Sequence, residues 1–413
     1  MSELKGACIF AQSGGPTAVI NASAYGVIRT ALDSPSITAV YGAAHGIRGV
    51  LDEKLFDMGQ EDAGELELLL NTPSSALGSC RYKMEDPEVN DTDYRRILEV
   101  FQKYNVRYFF YNGGNDSMDT CDKVSRFMEK AGYECRVIGV PKTIDNDLYG
   151  TDHCPGFASA AKHIATSCAE VYQDAHVYDT GMVTIIEVMG RHAGWLTGSA
   201  ALAGISGCAP DLIYVPEIPF DMEQFLRDID EVYSRTGNCI VAVSEGIHYA
   251  NGSFVSDAKA STTDGFGHVQ LGGLASLLAN VVKQRMGTKV RGIELSLLQR
   301  CGAHLASQTD IDESFACGRF AVEAAISGHT GKMVGFQCSR GSNDYQCETV
   351  LLPLTSVANV EKKVPREWIN AAGNGVTQQF VDYVLPLIQG ENSRATIQGM
   401  PRFAQLKKVP VLS

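Results

Sequence analysis

Residues 106–117 read Val106-Arg107-Tyr108-Phe109-Phe110-Tyr111-Asn112-Gly113-Gly114-Asn115-Asp116-Ser117, and they decide the fold. The run Val106 to Tyr111 is short and apolar, as a buried strand would be. The glycine pair ends it, and Ser117 to Ala131 then carries a helical pattern. The same rhythm extends in both directions. Upstream, Ala7 to Gln12 reads as a strand, a glycine turn follows, and Thr17 to Leu32 reads as a helix. Downstream, Cys135 to Val140, Val183 to Val188, Leu212 to Val215, Cys239 to Val243 and Arg291 to Leu295 read as strands. Helical stretches are expected at Phe157 to Asp174, Gly194 to Ala203, Asp221 to Tyr233, Leu271 to Met286, Asp312 to Gly328 and Trp368 to Leu387. Strand and helix in alternation predict an α/β fold with a mostly parallel sheet covered on both faces. Tyr249 to Gly267, rich in Ser, Thr, Asp and Gly, reads as a mobile loop or an insertion.

The chain has 413 residues, enough for two domains at roughly 100–200 residues each. Its 45% hydrophobic and 20% charged residues are those of a globular protein. A formal net charge of −13 argues against nucleic acid or an anionic membrane as partner, since both need a basic face. Phosphorylated small molecules stay open, because a site can be basic inside an acidic protein. Met1 to Lys5 holds no signal-peptide core and no apolar run is long enough to span a bilayer, so a cytoplasmic protein is expected. The 12 cysteines contain no C-x-x-C pair, which favours reduced thiols over disulfides or zinc.

In such sheets ligands bind beyond the carboxyl ends of the strands. Four of those loops carry unusual residues. Ser13-Gly14-Gly15-Pro16-Thr17 lets backbone N–H groups approach an anion at a helix N-terminus, although a structural turn could look the same. It is neither G-x-G-x-x-G nor a Walker loop. Gly113-Gly114-Asn115-Asp116-Ser117 offers an amide, a carboxylate and a hydroxyl, any of which could simply cap the helix. Pro141-Lys142-Thr143-Ile144-Asp145-Asn146-Asp147 puts a cation beside two carboxylates, as phosphoryl transfer requires, though a solvated turn uses the same residues. Met189-Gly190-Arg191-His192-Ala193-Gly194 offers an arginine for a phosphate or sugar oxygen, with His192 read as packed or capping.

Together SGGPTAVIN, GGNDS, PKTIDND and MGRHAGW resemble, in order and spacing, the loops of the phosphofructokinase family. The resemblance runs from Gly6 to about Gln337, through Val243-Ser244-Glu245-Gly246 and RGIELSLLQR at Arg291 to Arg300. It implies two facing Rossmann-like three-layer domains, 1–156 plus 301–365 for the phosphoryl donor and 157–300 plus 366–413 for the sugar phosphate. Gly14, Arg81 and Ser117 would bind the donor. Asn115 matches the family's magnesium-binding aspartate, so Mg2+ is the implied cofactor. Asp145 matches the base that takes the proton of the fructose 1-hydroxyl, and Thr143 and Asp147 would hold the substrate and the transferring group. Met189, Gly190, Arg191 and Glu245 would bind the sugar phosphate, and Arg300 its 6-phosphate. Arg291 would reach that phosphate from a neighbouring subunit, which implies a homodimer or homotetramer with shared sites.

Lys142 and Asp116 resemble the diphosphate-using members, since ATP-using members carry glycine at 116 and usually at 142. A carboxylate at Asp116 would repel a nucleotide α-phosphate. Lys142 would add positive charge where the leaving phosphate gains negative charge. The resemblance therefore implies transfer between diphosphate and fructose 6-phosphate, in glycolysis or gluconeogenesis. Three residues depart from the pattern: Asn115, a weaker magnesium ligand than aspartate; Met182, where ATP-using members place an arginine; and Leu297, where members have histidine or tyrosine. The alternatives are an ATP-dependent phosphofructokinase and a non-catalytic regulatory subunit of the same fold. A dinucleotide oxidoreductase lacks its glycine fingerprint.

Overall fold

The computed structural model describes residues 4–256, 271–341 and 345–411. Residues 257–267 of the expected loop lie outside them; before them, Tyr249 turns back tightly, its N–H donating to Ser253 O at 2.9 Å. Two sheets carry the fold. The strands of the first are β1 (Gly6–Gln12), β2 (Ile37–Ala43), β3 (Leu55–Asp57), β4 (Val106–Gly113), β5 (Arg136–Pro141), β10 (Lys332–Arg340) and β11 (Tyr345–Pro353). They lie side by side in the order β11-β10-β5-β4-β1-β2-β3. The second sheet holds β6 (Met182–Val188), β7 (Leu212–Tyr214), β8 (Asn238–Ser244) and β9 (Lys289–Glu294), in the order β7-β8-β6-β9. Every pair in the second sheet is parallel, and so are the inner pairs of the first. Only β2/β3 and β10/β11 run antiparallel among these strands.

Side chains alternate across each sheet as strand geometry demands. Ile9, Ala11, Phe109 and Tyr111 join one core, and Cys8, Phe10, Tyr108 and Phe110 join the core on the other face. The second sheet divides likewise, with Val183, Ile185 and Val241 on one side and Ile186, Val188 and Ala242 on the other. Each fully buried Phe contributes about 1.5–3 kcal/mol of transfer free energy. Two helices of the first lobe, Ile20–Asp33 and Gln308–Ile326, cross at a glycine contact. A methyl group on Gly26 would meet Phe315 O at 2.2 Å, and one on Gly318 would meet Ser23 O at 2.1 Å. Among the described residues, no helix is long and apolar enough to cross a membrane.

The expected strands and most expected helices are present; β2, β3, β10, β11 and the helix Thr92–Lys103 come in addition, and four stretches depart from expectation. The first helix begins at Ile20, after a turn in which Thr17 Oγ1 accepts from Val19 N at 3.2 Å. Gly194 to Ala203 is one α-turn, Trp195–Gly198, followed by a 3-10 segment. Trp368 to Leu387 is not one helix: Ile369 bridges Val376 around Gly373, and the helix that follows, Gln378–Val384, gives way to a 3-10 turn at Pro386. Finally, the end of the chain, grouped by the sequence with the second lobe, lies along the first. Asp57 N donates to Val409 O and Val411 N to Leu55 O, each at 2.9 Å, which covers the β3 edge.

Candidate active site

Adjacent strands β5, β4 and β1 deliver loops 13–17, 113–117 and 141–147 to one place. Gln12, buried at the end of β1, donates to Asn21 Oδ1 at 3.0 Å and accepts from Leu77 N at 3.1 Å. This ties the loop carrying Arg81 to the strand. Gly14 N donates to Cys80 O at 3.1 Å, and Ser79 Oγ donates to Gly14 O at 2.7 Å. Gly14 has φ +75°, and a methyl there would stand 3.1 Å from Lys142 Nζ. A methyl on Gly15 would stand 3.0 Å from Arg300 Nη1 and 3.7 Å from Arg81 Nη2. The two glycines thus form a backbone floor ringed by three cations. Lys142 Nζ donates to Gly15 O at 2.6 Å.

At β4 the helix begins earlier than its sequence suggests. It spans Asn115–Lys130, with Gly114 at the N-cap and no side-chain cap. Asn115, Asp116 and Ser117 are therefore in the first helical turn and face the cleft instead of capping. Asn115 Oδ1 is buried without a hydrogen-bond partner among the described residues, and so is Asp147 Oδ1. A buried oxygen left unpaired costs about 1–3 kcal/mol. Two such atoms beside Asp145 make an oxygen-rich set that suits a hard divalent cation such as Mg2+.

The loop after β5 is held rigidly. Lys142 N donates to Gly113 O at 3.0 Å, Asp145 N to Thr143 Oγ1 at 3.1 Å, and Lys362 N to Asp147 O at 2.7 Å. Asn146 has φ +55° and is buried; its amide donates to Tyr383 Oη at 2.9 Å and accepts from Cys154 N at 3.0 Å. A left-handed residue between Asp145 and Asp147 turns both carboxylates into the cleft. Burial, then the charges of Asp147 and Glu245, push the Asp145 carboxyl up to about 7, against Arg191 and Lys142. Burial lowers Lys142 to about 8, with Asp145 opposing and Arg81 and Arg300 adding to the drop. Burial also raises Asp147 and Glu245.

The facing lobe brings the loops after β6 and β8 and the turn after β9. Gly190, at φ +129°, donates its N–H to Glu245 Oε1 at 3.4 Å, and Met189 N donates to Gln299 Oε1 at 3.2 Å. Glu217 secures the loop by accepting from Gly194 N at 2.9 Å. The two lobes enclose a cavity of about 590 Å3 lined by Gly14, Arg81, Asn115, Asp116, Ser117, Lys142, Thr143, Asp145, Asp147, Met189, Arg191, Glu245 and Arg300. Arg300 leans toward Gly15 and Arg81, on the side of the glycine floor. Arg291 is elsewhere: it is exposed on β9, 3.9 Å from Asp174, in a separate groove with Glu170 and Met182. Lys83, Asn359 and Glu361 also line the cavity and carry no motif in the sequence. Glu361 pairs with Leu148 in an isolated bridge just past Asp147, which is a tertiary contact.

A glycine floor, converging cations and a carboxylate base between two doubly covered α/β lobes define a phosphotransferase cleft. The phosphofructokinase family pattern matches residues 7–293. The chain is 47% identical over 404 residues to a pyrophosphate–fructose 6-phosphate 1-phosphotransferase of Halomonas elongata, covering 97% of this chain and 96% of that one. It is 45% identical over 406 residues to the Methylococcus capsulatus protein of the same name, with 97% and 96% covered. It superimposes on the crystal structure of a pyrophosphate-dependent phosphofructokinase from Nitrosospira multiformis with TM-score 0.89 and 41% identity, covering 99% and 98%. The chain belongs to the phosphofructokinase family.

Proposed function

We propose that the cleft transfers a phosphoryl group from diphosphate to the 1-hydroxyl of fructose 6-phosphate, giving fructose 1,6-bisphosphate and phosphate. This is the reaction named for the Halomonas and Methylococcus relatives. The observation that carries the donor is Asp116 and Lys142 lining the same cavity as the Gly14–Gly15 floor. Asp116 sets a carboxylate where a longer nucleotide donor would bring its α-phosphate, and Lys142 lies where charge grows on the leaving phosphate.

Asp145 takes the proton of the 1-hydroxyl as its oxygen attacks the phosphorus and the bridging P–O bond breaks. Its carboxyl, held near 7, is a base matched to neutral pH. Lys142, Arg81 and Arg300 receive the phosphate that leaves. Met189, Arg191 and Glu245 orient the sugar phosphate. Asn115 and Asp147, whose buried oxygens have no other partner among the described residues, would hold Mg2+, which when bound neutralises charge on the transferring group. Since diphosphate has a transfer potential close to that of the bond formed, the reaction runs both ways. The lobe of β1–β5, β10 and β11 serves the donor and the lobe of β6–β9 the sugar. Arg291 completes the sugar site of a neighbouring copy, so the active unit is at least a dimer.

The test is kcat/KM with diphosphate and with ATP on one preparation. Diphosphate is expected to be the efficient donor; a preference for ATP overturns the reading.

A further inference from the structure

Away from the cleft, the β10/β11 hairpin sets Cys338 directly opposite Cys347. Both are half-buried. Facing residues of an antiparallel pair have Cα atoms about 4.5–5.5 Å apart, which is within the span a disulfide bridges. The Cys338 thiol is drawn down, first by a hydrogen bond from Cys347, with burial opposing and His153 assisting. The pair's proton thus favours Cys347, whose own thiol is held up, and Cys338 gains thiolate character.

The surroundings explain the polarisation. His153 Nδ1 lies 3.8 Å from Cys338 Sγ and 3.0 Å from Asp152 Oδ1, while its Nε2 lies 2.7 Å from Glu313 Oε2. Burial alone would lower this imidazole, but its bonds to Asp152, Cys338 and Glu313 hold it well above the usual histidine value. Tyr345 Oη approaches Cys338 Sγ at 3.4 Å and donates to Glu313 at 2.7 Å. The cluster also leads back to the catalytic loop. Arg340, on the same strand as Cys338, grips both oxygens of Asp152 at 2.7 Å. Tyr383 Oη donates to Asp152 O at 2.6 Å and accepts from Asn146, which stands between Asp145 and Asp147.

We propose that Cys338 and Cys347 form a thiol–disulfide site, oxidised by a hydroperoxide, whose state reaches the catalytic loop through Asp152, Tyr383 and Asn146. The Cys338 thiolate attacks a peroxide oxygen and the O–O bond breaks. The hydroxide leaves with a proton as water, and Cys338 becomes a sulfenic acid. The Cys347 sulfur displaces that hydroxyl, its proton departing in a second water. The sulfurs lose two electrons and the peroxide gains them. The new bond withdraws Cys338 Sγ from His153 and Tyr345, and so loosens the clamp on Asp152. A metal ion fits less well. The two thiols fall into different ligand triads, Asp152/His153/Cys338 and His153/Glu313/Cys347. The carboxylates, moreover, are already engaged by Arg340 and Tyr345.

The experiment treats the reduced full chain with hydrogen peroxide, alkylates it and maps its peptides. The peptides of Cys338 and Cys347 should appear joined, lighter by two hydrogens, with a several-fold loss of kcat that dithiothreitol restores. In Cys347→Ser the joined peptide should vanish and dimedone should capture a sulfenic acid at Cys338. The peptide readout does not depend on the reaction assigned to the cleft. The proposal falls if both thiols stay freely alkylatable after peroxide or join other cysteines. It falls also if kcat is unchanged once the bond has formed, or if the reduced protein takes up one Zn2+ at these thiols and resists peroxide.

Discussion

The donor half and the sugar half of the cleft are built differently. Loops 13–17, 113–117 and 141–147 end three neighbouring strands of one sheet and bond to each other, through Lys142 N to Gly113 O and Lys142 Nζ to Gly15 O. That half is complete in one chain. The sugar half gathers Met189, Arg191 and Glu245, but leaves Arg291 on the exposed edge strand β9, in a different groove. If the proposed roles hold, diphosphate is gripped within one subunit, whereas full binding of the sugar phosphate needs Arg291 from a neighbouring copy.

The sharpest way to probe the self-contained half is Asp145→Asn. It should lower kcat by a factor on the order of 10²–10⁴, the range of a positioned base, while diphosphate still binds by calorimetry. Near-normal turnover would remove Asp145 from this role. The same variant carries a stability signature. The folded state keeps the Asp145 proton up to about pH 7, and an unfolded chain loses it near about pH 4. Stability from the protonated form is therefore lost as pH rises through that window. An amide in its place cannot ionise, so Tm should rise relative to wild type at pH 8 and differ least at pH 4. Wild-type kcat/KM should climb as Asp145 deprotonates near 7 and fall as Lys142 deprotonates near 8, a narrow bell.

Asp116→Gly tests whether that half also chooses the donor. Like charges about 4 Å apart repel by roughly 4 kcal/mol at an effective dielectric of about 20. Relief of half of that should tighten ATP binding by roughly thirtyfold, with diphosphate affected less. A folded variant with undetectable ATP binding would break the argument. The smallest expected signal bears on the borrowed half. Arg291→Ala and Asp145→Asn chains, each inactive, should recover about a quarter of wild-type activity when subunits exchange in a dimer, because one site in each hybrid has both residues. Exchange without recovery would make the sugar half self-contained as well.

How much of this was legible in the sequence follows the same division. The donor loops are contiguous motifs at strand ends, and their residues reach one cavity as the motifs imply. What the sequence hid are contacts between distant segments. Asn146 looks like one polar residue among several, and only its left-handed backbone and its bonds to Tyr383 and Cys154 reveal its positioning role. β10 and β11 escape the apolar-run pattern because part of each strand faces solvent and alternates polar with apolar residues. Asn115 reads equally well as a cap in the sequence, and it is Gly114 that holds that place.

The return of the chain to its first lobe has a consequence for how the protein is made. β10 pairs with β5 across a long separation in sequence, Lys332 facing Ile138, and Val409 and Val411 close the edge at β3 only at the very end. The sheet of the second lobe, Met182 to Glu294, is continuous in sequence and can close first. During synthesis the β5 edge of the first lobe therefore stays unpaired until β10 has left the ribosome. The sheet translated first is thus the sheet whose last pairing becomes available latest.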